Sequence, residues 1–259
     1  MIEVAVLSMR SKRIQQLHDY IAGHGTVSFG EICRQFGISI NTARRDVAAL
    51  LEEGDIVKVY GGVQYVEKTG LLPFEDRDAA HHDEKHRICA LAAGFIGEGE
   101  VVFLDSGTTV PGILDFVGDK HFTVITSSLP VLLKASQLPG VSVYTLPGLL
   151  NRQTYSFEQN LPFPILDQYN INKAFMAASG VTISGGVTNS SPWEFQLKAS
   201  IVAKNIDSFL LADHSKFGRV TLLKYAELAD FRNVVTAGPL PDKYRTYLSH
   251  HNIRLHTAD

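Results

Sequence analysis

The sequence predicts two unlike units in one α/β chain: a small N-terminal unit of short helices with a β-hairpin, then a larger unit of alternating helices and strands. Three observations carry this. Residues 28–51 hold two short amphipathic segments separated by a glycine turn, and two β-runs come directly after them. From Asp83 onward, helical stripes alternate with apolar β-rich runs. A length of 259 residues accommodates two domains, and 45% hydrophobic with 20% charged residues describes a soluble globular chain.

In the first unit, Ile14, Leu17 and Ile21 give a helix ending near Gly23 and Gly25. Ser28 and Glu31 have the S-x-x-E spacing of a capping box, in which each side chain satisfies an orphan amide. Behind it Phe29, Ile32, Cys33 and Phe36 fall on one helical face, and Gly37 supplies the left-handed residue that ends the helix. Ser39 is placed to cap the next helix, where Ala43, Val47, Leu50 and Leu51 repeat the buried spacing. Asn41, Thr42, Arg44 and Arg45 are left pointing outward near its start. This arrangement reads as a helix-turn-helix; the competing reading is an ordinary helical hairpin with a solvated face. Residues 54–66 favour the first. Gly54-Asp55 marks a turn, Ile56–Tyr60 is a β-run closed by Gly61-Gly62, and Val63–Val66 returns, which makes a wing. Ser28 and Ser39 at the helix starts, with Lys58, Tyr60 and Gly61 on the wing, complete the expected DNA face.

Composition does not announce a nucleic-acid binder. The formal net charge is −3, and over residues 1–65 Arg10, Lys12, Arg13, Arg34, Arg44, Arg45 and Lys58 are balanced by Glu3, Asp19, Glu31, Asp46, Glu52, Glu53 and Asp55. Placement decides instead: Arg44, Arg45 and Lys58 belong to the helix and wing that would face DNA, while Glu52, Glu53 and Asp55 gather at the far end. So few phosphate contacts give weak, salt-dependent binding, so an oligomer on repeated half-sites of double-stranded DNA is expected.

No apolar run approaches the roughly 18 residues needed to span a membrane, and MIEVAVLS lacks the basic n-region and cleavage site of a secretory signal. Met9 stands directly before the first helix's opening, which reads residues 1–8 as an upstream extension. Cys33 and Cys89 each sit on the apolar face of a predicted helix, at no metal-ligand spacing; buried thiols in the cytoplasm are the plain reading.

Residues 66–82 mix charge, Gly and Pro without periodicity and read as a linker between a DNA-binding domain at 9–65 and a second domain at 83–259. His81, His82 and His86 have no acidic or cysteine partner at ligand spacing, so a solvated helix start is expected rather than a metal site. In the second domain the stripe Ile88, Leu91, Ala92, Phe95 is a helix. Strands are expected at 101–104, 122–126, 141–146, 173–178, 207–212, 232–236 and 252–256, with helices around 109–117, 129–136, 193–204 and 241–250. Repeated β-α units imply a largely parallel sheet, whose ligands bind beyond the carboxyl ends of strands.

Three such ends are chemically loaded. Asp105-Ser106-Gly107-Thr108-Thr109 comes after VVFL and precedes a predicted helix, so hydroxyls, a close-approach glycine and helix-terminal amides form a phosphate cradle. It is not a Walker loop, since no G-K-[ST] is present there; an ordinary strand-to-helix turn is the alternative. Thr126-Ser127-Ser128 is a second hydroxyl-rich turn. Ala212-Asp213-His214-Ser215-Lys216-Phe217-Gly218-Arg219 is the third, with Lys216 as a mobile point charge. Between them, Gly148 to Arg152, Gly180 and 185–188 are small-residue turns where a sugar can approach backbone.

Over residues 10–62 the chain resembles the DeoR family of bacterial transcriptional repressors, in the Arg10–Ile14 opening, T-A-R-R-D at 42–46, Leu50, Gly54 and Tyr60-Gly61-Gly62; Pro73–Arg77 is similar to that family's interdomain segment. D-S-G-T-T, T-S-S-L, G-L-L-N-R, A-S-G-V and A-D-H-S-K-F-G resemble its C-terminal sensor domain, in family order. The resemblance implies a winged helix-turn-helix followed by a sensor fold related to ribose-5-phosphate isomerase and glucosamine-6-phosphate deaminase. It also implies repression of a sugar-catabolic operon, relieved by a phosphorylated sugar that would meet Asp105, Ser106, Gly107, Thr108, Thr109, Ser127, Arg152, Gly180, Asp213 and Lys216. Leu146-Pro147-Gly148, Ser127 and the segment 188–195 depart from many relatives and leave the sugar open, with a pentose or deoxypentose phosphate as first candidate.

A second reading is an enzyme, a sugar-phosphate isomerase or deaminase with an appended DNA-binding domain. Asp105, Glu194 and Asp213 are its available carboxylates, beside His214 and Lys216, but a glycine-flanked pair of the isomerase type is not visible. A third is a purely structural module. The expectation is a regulator with no catalytic residues, no cofactor and no metal.

Overall fold

The computed structural model describes residues 13–14, 16–53, 56–65, 72–159 and 164–258. The chain divides between Gly70 and Leu71 into two compact units. Residues 1–8, the Arg10-Ser11-Lys12 opening, the Gly54-Asp55 turn and residues 66–71 lie outside the described residues.

In the first unit, helical residues 16–24 (α1) are followed by β1 (Thr26–Ser28), α2 (Phe29–Phe36), α3 (Ile40–Glu53), β2 (Ile56–Val59) and β3 (Gly62–Tyr65). The capping box forms: the Glu31 amide donates to Ser28 Oγ at 3.2 Å, and the Ser28 amide donates to the Glu31 carboxylate at 2.8 Å. Gly37, at φ 61°, ends α2, and Ser39 Oγ accepts the Thr42 amide at 3.3 Å to start α3. Leu17, Ile21, Val27, Ile32, Ala43, Val47, Leu50, Ile56 and Val63 bury together. Each buried Leu or Ile contributes about 1.5–3 kcal/mol, against about 1 kcal/mol for a cap, so packing holds the unit and the caps set where its helices begin. Residues 26–28, not expected as a strand, pair antiparallel with β3 in the order β1-β3-β2. Gly62 permits that pairing, because a Cβ there would lie 2.3 Å from the Val27 carbonyl oxygen.

The second unit opens with α4 (Phe74–Ala79) and α5 (His82–Ala93). Residues 74–79, expected within the linker, are thus helical, and Phe74 is buried. A helix of six residues is too short to show periodicity, which is why composition alone reads it as connector.

The strands β4 (Val101–Leu104), β5 (Phe122–Thr126), β6 (Val141–Thr145), β9 (Lys173–Ala177), β12 (Asp207–Leu211), β14 (Asn233–Ala237) and β15 (Arg254–Ala258) form one parallel sheet, ordered β15-β14-β12-β9-β4-β5-β6. All seven expected strands are present, with ends moved by up to two residues. Successive residues point to opposite faces. Val102, Leu104, Phe175 and Leu211 pack against α5 and α6 (Leu129–Ala135), while Phe103, Met176 and Leu210 pack against α7 (Pro192–Ala203) and α8 (Asp242–His250). Both faces are covered, as a parallel sheet requires.

Residues 110–116, expected as part of an α-helix, form a 3-10 helix. Pro111 has no amide to donate and the Gly112 amide reaches Thr109 O at 3.2 Å, an i to i+3 bond. The glycine-rich stretches expected as turns carry further β-structure. β7 (Leu149–Asn151) pairs with β8 (Ser156–Glu158), and β10 (Gly180–Thr182), β11 (Gly186–Asn189) and β13 (Leu223–Ala226) form a three-stranded sheet. Among the described residues no helix is long and apolar enough to cross a membrane.

Candidate DNA interface and effector site

In the first unit, Asn41, Arg44 and Arg45 are exposed at the start of α3 and Thr42 is half-buried. Lys58 and Gly61 are exposed on the wing, and Tyr60 stands fully out at its tip. Arg44 lies 5.9 Å from the Phe29 ring centre, which braces its guanidinium. The hydroxyls of Ser28 and Ser39 are engaged in the two caps, at 2.7 Å to Glu31 and 3.0 Å to Thr42 Oγ1.

Asp46 enters the sequence reading only as a charge. It is fully buried and takes a two-point bond from Arg13, at 2.7 Å from Nε and 3.3 Å from Nη2. Bonding to Asp46 raises the Arg13 pKa although burial opposes it. This pair fixes α3 to the segment that begins the unit. The signal is present in the sequence: Asp46 stands three residues after Ala43 and four before Leu50, on the buried stripe.

In the second unit β12, β9, β4 and β5 are consecutive neighbours and parallel. The three loaded loops therefore open along one edge of the sheet. Their residues have different tasks. Asp105 is fully buried and bound to Lys198 of α7, and its Oδ2 accepts the Ala177 amide at 2.9 Å. Lys198 sits 5.6 Å from the Tyr225 ring centre, and Tyr225 donates to Ala177 O at 2.9 Å. Burial raises the Tyr225 phenol well above its ordinary value. Asp105 thus serves the loop's architecture, and Lys198, which sequence reasoning misses, is its counter-charge. A lysine in the apolar run PWEFQLKASIVA is the available signal.

Ser106 donates to Glu194 at 2.6 Å, and Glu194 also accepts from Asn189 at 3.1 Å and Ser156 at 3.2 Å. Gly107 packs against the sheet, since a Cβ would lie 2.1 Å from the Ala177 side chain. Thr108 is half-buried; Thr109 is buried, with its carbonyl accepting from Cys89 at 2.9 Å. Burial raises that thiol to about 12, so Cys89 is inert. Ser127 is buried, with its carbonyl accepting the Phe157 amide at 2.7 Å, which seats the β7–β8 hairpin on the strand end. Arg152 is exposed on that hairpin. Gly180 is small because a Cβ would meet Arg219 O at 2.4 Å, so its role is close backbone packing against the loop that carries Arg219.

Asp213 is fully buried. Its Oδ1 accepts from the Ser215 amide at 3.0 Å, while Oδ2 has no hydrogen bond and lies 3.8 Å from Lys216 Nζ. Burial opposes its ionisation, but Lys216, Ser215, His81 and Lys85 together hold its pKa below the ordinary value. Lys85 of α5 is a second residue that sequence reasoning passes over. It is buried, donates to the carbonyls of Arg77 and Asp78, and is lowered to about 8 by burial and by Lys216. Lys216 is also lowered by burial, against the pull of Asp213.

The fold gives His81 the acidic partner its own segment lacks: His81, Asp213 and His214 place one ligand atom each within 4.8 Å of one another. His214 is bonded to Glu84 at 2.6 Å, and two ammonium groups face Asp213. That field favours an anion over a dication. Of the three carboxylates open to the enzyme reading, Asp105 is locked in an ion pair and Glu194 accepts three bonds, which leaves Asp213 without a second carboxylate to work with.

Residues 13–69 match the model of the DeoR-like helix-turn-helix domain, and residues 80–237 match the DeoR C terminal sensor domain. The chain is 45% identical over 251 residues to the HTH-type transcriptional regulator IolR of Bacillus subtilis, covering 96% of this chain and all of that protein. It is 28% identical to the lactose phosphotransferase system repressor of Staphylococcus epidermidis, over 86% of this chain and 90% of that protein. Among solved structures, ribose 5-phosphate isomerase A of Methanocaldococcus jannaschii is similar at 20% identity and TM-score 0.39, over 53% of this chain and 55% of that one. With both of its units matched, the chain belongs to the DeoR family: it is a DNA-binding transcriptional regulator.

Proposed function

We propose that this regulator represses sugar-catabolic genes from the cytoplasm and is released from its operator by a phosphorylated sugar bound in the second unit. One observation carries the effector reading: the buried Lys85 and the half-buried Lys216 face an Asp213 whose Oδ2 has no hydrogen-bond donor, along the same sheet edge as the hydroxyl-rich 106–109 loop. A phosphate answers the two ammonium groups and a sugar hydroxyl answers the free carboxylate oxygen. A relative is named as the lactose phosphotransferase system repressor, which supports the sugar class. The equal numbers of acids and bases in residues 1–65 support a homodimer or larger oligomer on spaced half-sites, since one unit gives little affinity.

The test is operator affinity by fluorescence anisotropy, with and without pentose and hexose phosphates and the parent sugars, in wild type and in Thr108→Ala and Lys216→Ala. Phosphorylated sugars should release DNA from wild type, and both variants should bind operator without releasing it. An equal response to a sugar and its phosphate removes the phosphate from this account.

A further inference from the structure

Helix α4 comes after the segment that joins the two units, and it is fastened to the second unit by groups of the effector site. Tyr155, at the tip of the hairpin seated on Ser127 and Ser128, donates to Glu75, and its ring lies 5.3 Å from that of Phe74. Tyr155 has φ 50°, a backbone setting that a bulky residue adopts only when its surroundings hold it there. Lys85, which faces Lys216 and Asp213, donates to the carbonyls of Arg77 and Asp78.

Arg77 itself is half-buried. Its Nε donates to Leu72 O at 3.0 Å and its guanidinium lies 5.7 Å from the Phe74 ring centre. Among the described residues no acceptor is bonded to its terminal nitrogens. The charges within its reach are Glu194, which holds Ser106, Asp78 and Glu75 of its own helix, and Lys216. A planar fork with unfilled donors, sharing its surroundings with the Lys85 and Lys216 ammonium groups, is a ligand for a two-oxygen anion.

We infer that Arg77 is an anion ligand of the effector site and that α4 is a wall of that site, displaced when the anion is bound. The inference rests on the effector reading above and names the element that reports occupancy. An anion held by Lys85 competes with the carbonyls of residues 77 and 78 for its ammonium, while Arg77 offers the fork nitrogens that are now unfilled. Filling the site therefore loosens the bonds that now place α4. Occupancy reaches the segment leading to the DNA-binding unit through α4.

The experiment is hydrogen–deuterium exchange of amides 75–80 in the full chain, paired with thermal midpoints, using inorganic phosphate and ribose 5-phosphate as probes. In wild type, a probe that raises the midpoint should also change exchange across α4. Arg77→Ala should weaken that probe roughly ten- to hundred-fold and abolish the α4 response. Arg77→Lys, which keeps the charge but not the fork, should fall between. Tyr155→Phe should speed α4 exchange without a probe and tighten probe binding, because docked α4 opposes occupancy, which keeps the inference testable where Arg77→Ala fails to fold. A probe that stabilises wild type while α4 exchange stays fixed overturns the inference and leaves the effector reading intact. If neither probe raises the wild-type midpoint, the effector reading fails, and this inference with it.

Discussion

Replacing Lys198 by methionine is the sharpest probe of the second unit's construction. Lys198 and Asp105 have side chains only 2% and 1% exposed. Methionine keeps most of the lysine's volume but leaves Asp105 as a buried carboxylate with the Ala177 amide as its main support. Removing one partner of a buried pair costs about 3–5 kcal/mol, because the remaining charge stays desolvated. In a unit of this size each kcal/mol lowers the midpoint by about 2–4 °C, so Lys198→Met should lose roughly 6–20 °C. Asp105→Asn should fall at the lower end, because its amide oxygen still accepts from Ala177 and the Tyr225 ring still faces the ammonium. The double variant, with no charge left, should recover to within about 1–2 kcal/mol of wild type, since a neutral buried pair carries no ionic desolvation cost.

The assay is calorimetric unfolding of the four proteins, read as a double-mutant cycle. A Lys198→Met midpoint close to wild type, or single losses that simply add in the double variant, would refute the argument. The pair also bears on the site, because Ala177, whose amide and carbonyl both join this network, is the residue Gly107 packs against.

Three further outcomes are expected. Arg45→Ala and Asn41→Ala should each weaken operator binding by about 1–3 kcal/mol if they reach base edges, whereas Lys58→Ala should weaken all sequences alike and reduce the salt slope; wild-type affinity in all three by anisotropy refutes the docking face. Asp46→Ala should destabilise the first unit by about 1.5–3 kcal/mol in urea unfolding, the worth of hydrogen bonds to a charged group, and an unchanged midpoint refutes the Arg13 brace. For pH, Lys85 titrates near 8 when folded against 10.5 ordinarily, so the unfolded chain binds more protons and stability rises above pH 8. Cys89 works the other way, with about 12 when folded against 9.0, so stability falls above pH 9. The part of the gain due to Lys85 is about 1.4 kcal/mol over pH 8–9, before the Cys89 loss sets in; urea unfolding across that range should show it in wild type and not in Lys85→Met.

How much of the fold is legible in the sequence depends on how local each signal is. The S-x-x-E box, Gly37 and the stripe through Ala43, Val47 and Leu50 act within one or two turns, and they place α2 and α3 to within a residue or so. The seven sheet strands are legible because burial on both faces makes each an uninterrupted apolar run, as in VVFL or FTVIT. Three-residue strands such as Thr26–Ser28 and Leu149–Asn151 show no period, and they exist because their partners, β3 and β8, are brought to them. The site shows the same division. Gly107, Asp213 and Lys216 announce themselves by lying at strand ends. Lys85, Lys198 and Arg77 do not, because helical lysines and arginines are ordinarily solvated, and only the fold turns these toward Asp213, Asp105 and Glu194. The 110–116 segment departs from expectation for a local reason, as a proline and a glycine in its first turn tighten it to 3-10.

Release of DNA places a quantitative demand on the same residues. Moving a two-state protein from 99:1 to 1:99 takes about 5.5 kcal/mol of differential binding, and contacts made equally in both states supply none of it. Ser106 and Thr109 are held by the sheet and by Glu194, Cys89 and Gly107, so their contribution to an effector is nearly the same in any arrangement of the unit. Lys85 and Arg77 differ, because the Lys85 ammonium is now spent on the carbonyls of residues 77 and 78 and must be freed for an anion, and Arg77 belongs to the helix that moves. Two charge-assisted bonds are worth about 3–6 kcal/mol together, which spans the requirement. The loop at 106–109 and Lys216 then set how tightly the effector binds, while Lys85 and Arg77 set how far binding moves the protein. Lys216→Ala should therefore keep its operator at effector concentrations that free wild type, because it no longer fills its site there, and Arg77→Ala should lower the extent of release even at saturation. If saturating effector releases Arg77→Ala as fully as wild type, the coupling does not run through α4.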